Sequence, residues 1–272
     1  MKLYGIFSPS ASFSLHSLFY LNNFLADRKF FLTKLAISLL MLLFFSQNSV
    51  NLFPFQFHPE ENVNCIYDIS FTWSSPINRF LESHLLLKKV LIVYSSFLMD
   101  MQFFFIMITF CCLAKNVRFP LIFVSFYLLR GILQNLFVFS FPKDYIWGHP
   151  GIFSLTISYA RTSDFFYSGH VGSSVLCFFE FSRYEFFEKR FSYLKYFSLN
   201  CAITQSLVQI IFRGHYLIDV ISGFVFAHYF YILVGDRVDN VEDDRKILLK
   251  DWRNAKKGLK KMGSCGKCKK KE

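Results

Sequence analysis

Long apolar blocks, each of membrane-spanning length and divided by short charged stretches, constrain this chain more than any other feature. In water every block would have to be buried on all sides, and 272 residues are too few to do that. Hydrophobic residues make up 53% of the chain and aromatic residues 20%, while only 18% are charged. These proportions exclude a soluble enzyme, a nucleic-acid module and a disordered protein. The net charge of +11 does not point to nucleic acid either, because much of the excess lies in about the last sixteen residues, outside the apolar blocks. It reads as a cytosolic tail beside an anionic membrane surface.

A membrane-crossing helix takes about 20 mostly apolar residues. Six blocks qualify: Phe30 to about Val50, Val90 to Ala114, Phe119 to Phe141, about His170 to Phe187, Leu194 to Phe212, and Tyr216 to Val234. Glu180 and Arg183 interrupt the fourth. Arg28 and Lys29 precede the first, no small-residue cleavage site follows it, and Asn48, Asn51 and Pro54 read as a loop, so a retained first span is expected. The fold class is therefore all-α, a polytopic membrane protein built as a bundle of six transmembrane helices. Residues 1–29 form a cytosolic N-terminal segment, 30–235 the six-span domain, and 236–272 a cytosolic basic tail.

Lysine and arginine placement sets the orientation. With the N-terminus in the cytosol, that side holds Lys2, Arg28, Lys29, Lys115, Arg118, Arg183, Lys189, Arg190, Lys195 and the tail. The other face keeps Arg79, Lys88, Lys89, Lys143, Arg161 and Arg213. Both termini then face the cytosol. The lumen receives the loop from Asn51 to Leu87, the loop from Phe141 to Ser168, and the Arg213-Gly214-His215 turn. Of seven cysteines, only Cys65 falls in a lumenal loop, so no lumenal disulfide framework is available. Cys265 and Cys268 form a CxxC in the basic tail without the further ligands that zinc requires. They read as solvated thiols, with palmitoylation as the alternative.

Two short motifs carry the chemistry. Asp164-Phe165-Phe166-Tyr167-Ser168-Gly169-His170 opens the fourth span, and Arg213-Gly214-His215-Tyr216-Leu217-Ile218-Asp219 opens the sixth. Their histidines are 45 residues apart, which is two crossings and a turn, so both return to the same face of the bilayer. His215 and Asp219 are spaced as i and i+4, and the reading puts them on one helical face. A carboxylate on one ring nitrogen fixes the tautomer and makes the other nitrogen a better nucleophile. Ser168, Gly169 and His170 start a helix whose free N–H groups favour a phosphate, with Gly169 allowing close backbone approach. His170 then stands where a general acid or base is wanted. Ionisable groups at membrane depth are functional candidates by default. His16, His58, His84, His149 and His228 read instead as interfacial polar residues.

SGH followed downstream by HYxxD resembles the membrane-bound type 2 phosphatidic acid phosphatase superfamily. More narrowly, it resembles the sphingomyelin-synthase-like branch of six-span head-group transferases. Within that branch it is most similar to the phosphatidylcholine:diacylglycerol cholinephosphotransferases. The similar stretches are Leu129-Arg130-Gly131, Phe141-Pro142-Lys143-Asp144-Tyr145, Phe166 to Val171, and Arg213 to Asp219. The likeness covers about residues 119–233, the active-site half of the domain.

The resemblance implies a ping-pong transfer. His215 would attack the phosphorus of a donor phospholipid and carry the head group as phosphohistidine, with Asp219 orienting it. His170 would protonate the departing diacylglycerol oxygen and later deprotonate the acceptor hydroxyl. No metal and no other cofactor is called for. The partners are membrane lipids: a phospholipid donor and a diacylglycerol or ceramide acceptor. In two places the chain departs from the wider superfamily. Its phosphatases carry an arginine six residues before the nucleophilic histidine, where this chain has Gln209, and His149-Pro150 stands where their upstream Arg-Pro would be. Ser168, Gly169, Arg213 and Arg130 are the candidates for holding the substrate phosphate. A salt bridge from Arg130 to Asp100 in span two is the alternative for Arg130. Glu180, about 15 Å along an ideal helix from His170, reads as a packing or cavity residue.

Lys269 and Lys270, fourth and third from the C-terminal Glu272, look like a dilysine retrieval signal to the endoplasmic reticulum, with attachment to anionic lipid as the alternative. The expected protein is thus an endoplasmic-reticulum transferase of phosphocholine to diacylglycerol. Golgi or plasma membrane is the other location. A ceramide-dependent sphingophospholipid synthase, a lipid phosphate phosphatase and a non-enzymatic scaffold are the rival functions.

Overall fold

A computed structural model describes residues 28–48, 67–114, 117–137, 139–157, 159, 165–183 and 192–265. Seven helices and no strand occur among them: α1 (Arg28–Asn48), α2 (Ile69–Ser83), α3 (Leu85–Leu113), α4 (Arg118–Leu136), α5 (Gly169–Arg183), α6 (Tyr193–Ile211) and α7 (Leu217–Cys265). Several expectations lie outside the described residues: nearly all of the N-terminal segment, Cys65, Arg161, Asp164, the end of the fourth block with Lys189 and Arg190, Cys268, and the Lys269-Lys270 signal.

Three of these helices are long and apolar enough to cross a membrane: Leu85–Cys112, Arg118–Leu136 and Leu217–Val241. Their outer surfaces carry exposed large side chains such as Phe97, Phe104, Leu121, Leu128, Ile221 and Val225. Apolar faces of that kind on long apolar helices are solvated by lipid, so the protein is membrane-embedded. The helices α1, α5 and α6 lie in the blocks read as the first, fourth and fifth spans, but none meets the same length and hydropathy. In α1 the apolar stretch is Phe31–Leu43. α5 is described for 15 residues only. α6 carries Ser198, Gln205 and Gln209, which face inward and are buried.

Boundaries differ from expectation in four places. The loop read between the first two spans contains α2, started by Asp68, whose carboxylate accepts the Ser70 N–H at 2.9 Å. Helix α3 begins at Leu85, a turn ahead of Val90, after a break at His84. Helix α4 stops at Leu136, short of Phe141, and the described residues 139–157 form no helix or strand. Helix α7 does not end near residue 235 but continues to Cys265, 49 residues in all, so the first part of the basic tail is helical.

Several polar side chains inside the bundle are paired, as a low-dielectric interior favours. Lys34 of α1 donates to the Ala114 carbonyl at the end of α3. Gln205 of α6 donates to the Ser95 carbonyl of α3 at 2.9 Å and accepts from the Ser95 hydroxyl at 3.0 Å. Glu180 of α5 is a packing residue, as read: it pairs with Arg118 of α4 at 2.8 Å, and each side chain is about 3% exposed.

Helix α5 sits at the centre, packed against α6 and α7. Two glycines set how closely it is packed. A Cβ on Gly172 would run into the Phe126 ring of α4 and stand 3.1 Å from the Gly223 carbonyl of α7, and one on Gly223 would meet the Ser168 carbonyl at 2.9 Å. This close approach brings the starts of α5 and α7 together, and with them the two histidine motifs.

Candidate active site

The link between the motifs is Asp219. Its Oδ2 lies 3.2 Å from His215 Nδ1 and accepts the Tyr216 N–H at 3.1 Å. Its Oδ1 accepts the Phe166 N–H at 3.2 Å, and its backbone carbonyl accepts the Ser168 N–H at 2.8 Å. One residue of α7 thus holds the turn that precedes α5. Asp219 and His215 are each 1% exposed.

His215 itself is not on the helix, contrary to the i, i+4 helical reading. Helix α7 begins at Leu217, and His215 belongs to the turn before it. Asp219 reaches back to the Tyr216 N–H as the carboxylate half of a capping box does, and the same oxygen meets His215 on the way. The turn is fixed from behind by Gln209, whose backbone carbonyl accepts the Gly214 N–H at 2.8 Å and the His215 N–H at 3.3 Å. A Cβ on Gly214 would meet the Gln209 side-chain oxygen, which would have to swing away. With Nδ1 donating to Asp219, His215 Nε2 carries the lone pair.

His170, the second residue of α5, faces His215 with ring centroids 6.3 Å apart. Its Nδ1 lies 3.3 Å from Gln209 Nε2, and the Trp147 ring stands edge-on at 6.3 Å. The Phe165 ring packs edge-on against His215 at 5.9 Å. Two non-glycine residues in the motifs adopt positive φ, Phe166 at 131° and Arg213 at 59°. Each such residue costs on the order of 1–3 kcal/mol, and such strain concentrates at functional sites.

The residues read as phosphate ligands are spread around this pair. Ser168 is fully buried, and its hydroxyl accepts the Val171 N–H at 3.4 Å as the cap of α5. A Cβ on Gly169 would press on Arg130 Nε and the Tyr127 ring, both at 3.2 Å, so the glycine serves the approach of α4. Arg130 lies directly behind this loop and donates from Nε to the Tyr167 carbonyl at 3.0 Å. It does not pair with Asp100. That carboxylate accepts from the Ser154 and Thr156 hydroxyls, at 2.9 and 2.7 Å, and from the Leu155 and Thr156 N–H groups. Arg213 points to α2, where it donates to the Phe71 carbonyl at 2.9 Å and covers the Phe71 ring at 4.5 Å. Burial pushes its guanidinium below the ordinary value, against the opposing pull of Asp144 and Asp68.

Among the described residues, no group of three or more His, Cys, Asp or Glu could hold a metal ion. Sequence reasoning missed Asp68, whose second oxygen accepts the Leu217 N–H at 2.6 Å and so ties α2 to the start of α7. It noted Gln209 only as a departure from a pattern. A glutamine in an apolar span was the available signal, but its partner lies 39 residues away.

A buried imidazole–carboxylate pair facing a second imidazole is an arrangement for nucleophilic and acid–base work. The family model described as AtPDCT1/2, the phosphatidylcholine:diacylglycerol cholinephosphotransferase family, matches residues 67–236. The chain belongs to that family. The match takes in α2 and α3 as well as the histidine motifs, so it begins well before the stretch from 119 in which motif likeness is legible. As members of a phosphotransferase family, its residues are to be read against lipid substrates. No curated protein and no solved structure matches the chain.

Proposed function

We propose that the protein exchanges phosphocholine between phosphatidylcholine and diacylglycerol through a phosphohistidine at His215. The lone pair of His215 Nε2 attacks the phosphodiester phosphorus, the bond from phosphorus to the glycerol oxygen breaks, and His170 gives that oxygen a proton. In the second half, His170 takes the proton from the hydroxyl of another diacylglycerol. The freed oxygen attacks phosphorus, the P–N bond breaks, and His215 recovers its lone pair. Asp219 holds the His215 tautomer and offsets the charge that the ring acquires. Arg130, behind the Ser168-Gly169 turn, supplies positive potential to the phosphorane. Arg213 is turned toward α2 and stays outside this step. Neither half needs a metal or a nucleotide.

The observation that carries this reading is Asp219 binding His215 through its side chain and the Ser168 turn through its backbone, with His170 facing His215 at 6.3 Å. Placement in the sphingomyelin-synthase-like branch of the type 2 phosphatidic acid phosphatase superfamily rests on the two motifs. Six crossings, a cytosolic location for both termini and a lumenal active site rest on the apolar blocks and the lysine and arginine asymmetry. The endoplasmic reticulum rests on Lys269 and Lys270.

The test is transfer in reconstituted vesicles holding phosphatidylcholine with a labelled acyl chain on diacylglycerol. Wild type moves the label into phosphatidylcholine and His215→Ala does not, while acid-labile phosphate is trapped on the wild-type chain alone. Transfer by His215→Ala would sink the mechanism. Labelled ceramide consumed in preference to diacylglycerol would move the protein to the sphingolipid synthases. Gln209 is a neutral residue where the phosphatases carry arginine, which disfavours water as the acceptor.

A further inference from the structure

A cleft of about 690 Å³ opens beside the histidine pair, between α2, the Pro142-Lys143 segment and the Arg213 turn. Phe165 joins the two regions, touching the His215 ring at 5.9 Å and the Tyr216 ring at 5.5 Å. Tyr216 lines the cleft, and His215 and His170 do not. Three cations line it: Arg79, Lys143 and Arg213. The carboxylate among them is Asp68. Both its oxygens are committed, Oδ1 to the Ser70 N–H and hydroxyl and Oδ2 to the Leu217 N–H. Asp144 also acts on Arg213 electrostatically but does not line the cleft.

Arg213 is the fixed cation of the cleft: it is 6% exposed and sits at φ 59°. Its Nε is sealed and has no hydrogen-bond partner among the described residues, so the guanidinium's charge is left for the cleft it lines. A buried cation of this kind favours an anion beside it. Phe71 stacks under the guanidinium at 4.5 Å and holds its plane. A buried guanidinium with two exposed cations beside it, Arg79 and Lys143, suits a tetrahedral oxyanion. The Tyr67 and Tyr216 rings in the same wall suit the quaternary ammonium next to such a phosphate.

We propose that this cleft is a second phosphate site, which holds the phosphate of a phospholipid head group beside the histidine pair and apart from it. The proposal rests on the transfer reading only for what happens next: a lipid staged here supplies or leaves the reaction site. The head group keeps all its bonds in the cleft.

Two arms test it on the full-length purified protein. In the binding arm, thermal unfolding is followed with glycerophosphocholine and with inorganic phosphate as probes, for wild type and for Arg79→Gln/Lys143→Gln. Both substituted residues are exposed, so the double variant folds. Glycerophosphocholine is expected to raise the midpoint of the wild type more than phosphate does, with the rise mostly lost in the double variant. Equal shifts from both probes would make it a simple anion site and overturn the head-group assignment. In the transfer arm, the double variant is expected to raise KM for short-chain phosphatidylcholine about fivefold with kcat within about twofold, the size given by losing two exposed charge contacts. Unchanged KM and unchanged probe shifts would overturn the proposal while transfer by wild type left the histidine reading standing. Probe shifts without any transfer would keep the cleft and sink the histidine reading.

Discussion

The two ends of helix α5 bury charge in opposite ways. At its C-terminal end, Arg118 meets Glu180 at 2.8 Å and Asp239 at 3.2 Å, and Arg183 meets Asp239 at 2.8 Å. Arg118 also covers the Tyr231 ring at 4.3 Å. Two cations answer two carboxylates there, and α4, α5 and α7 are fastened together. At the N-terminal end, one carboxylate, Asp219, holds one imidazole, His215, which faces a second, His170, and Asp219 takes its other side-chain hydrogen bonds from backbone N–H groups. The first arrangement neutralises charge and leaves nothing to react. The second holds one ring nitrogen and leaves the other available. Burial alone therefore does not mark a site; what marks it is polar capacity left unspent beside a strained turn.

Substitutions at the two ends should separate activity from stability. Asp219→Asn keeps the shape and loses the carboxylate, so the transfer rate per folded molecule should fall about a thousandfold or more, as expected when the orienting carboxylate of a catalytic histidine is lost. A variant within tenfold of wild type in the vesicle assay would break the comparison. Glu180→Ala at the other end leaves Arg118 short of a partner and should destabilise by roughly 3–5 kcal/mol. Unfolding in detergent reads this, and the rate of the molecules that remain folded should stay within about twofold. Arg118→Met/Glu180→Leu should recover most of the loss, since replacing a buried pair by apolar residues is often near neutral. Gly172→Ala probes the joint between the ends. Its Cβ meets Phe126, so a loss of about 1–3 kcal/mol in stability should come with slower transfer as the motifs move apart. The smallest effect belongs to Gln209→Leu, which removes the Nε2 contact to His170 and keeps the backbone carbonyl. About a fivefold fall in kcat is expected, with little change in melting, from one lost hydrogen bond of about 1 kcal/mol on a catalytic group. A larger loss of stability than of rate would make Gln209 a packing residue.

The parts of the fold legible in the sequence are those where period and length decide the outcome. The apolar runs of α3, α4 and α7 announce themselves, and the 45-residue spacing of the histidines predicts a common face that the meeting of their rings supports. Helix α2 was not legible, because fifteen residues with Pro76 inside and a polar cap read equally well as a loop. The HxxxD spacing misled in detail: it fits a helical face, yet Gly214 and the Tyr216 cap keep His215 in the preceding turn. The direction of Arg213 was equally hidden, since only the position of Phe71, 142 residues earlier, turns it toward the cleft. Contacts between distant segments decide such details, and no local pattern encodes them.

Asp68 begins one helix with one oxygen and steadies the beginning of another with the other, across 149 residues of chain. A ribosome delivers the first partner long before the second exists. Until α7 has been made and inserted, that carboxylate lacks its bond to Leu217, and the histidine turn has no fixed seat. On the transfer reading, the histidine site is therefore complete only once α7 has packed into the bundle.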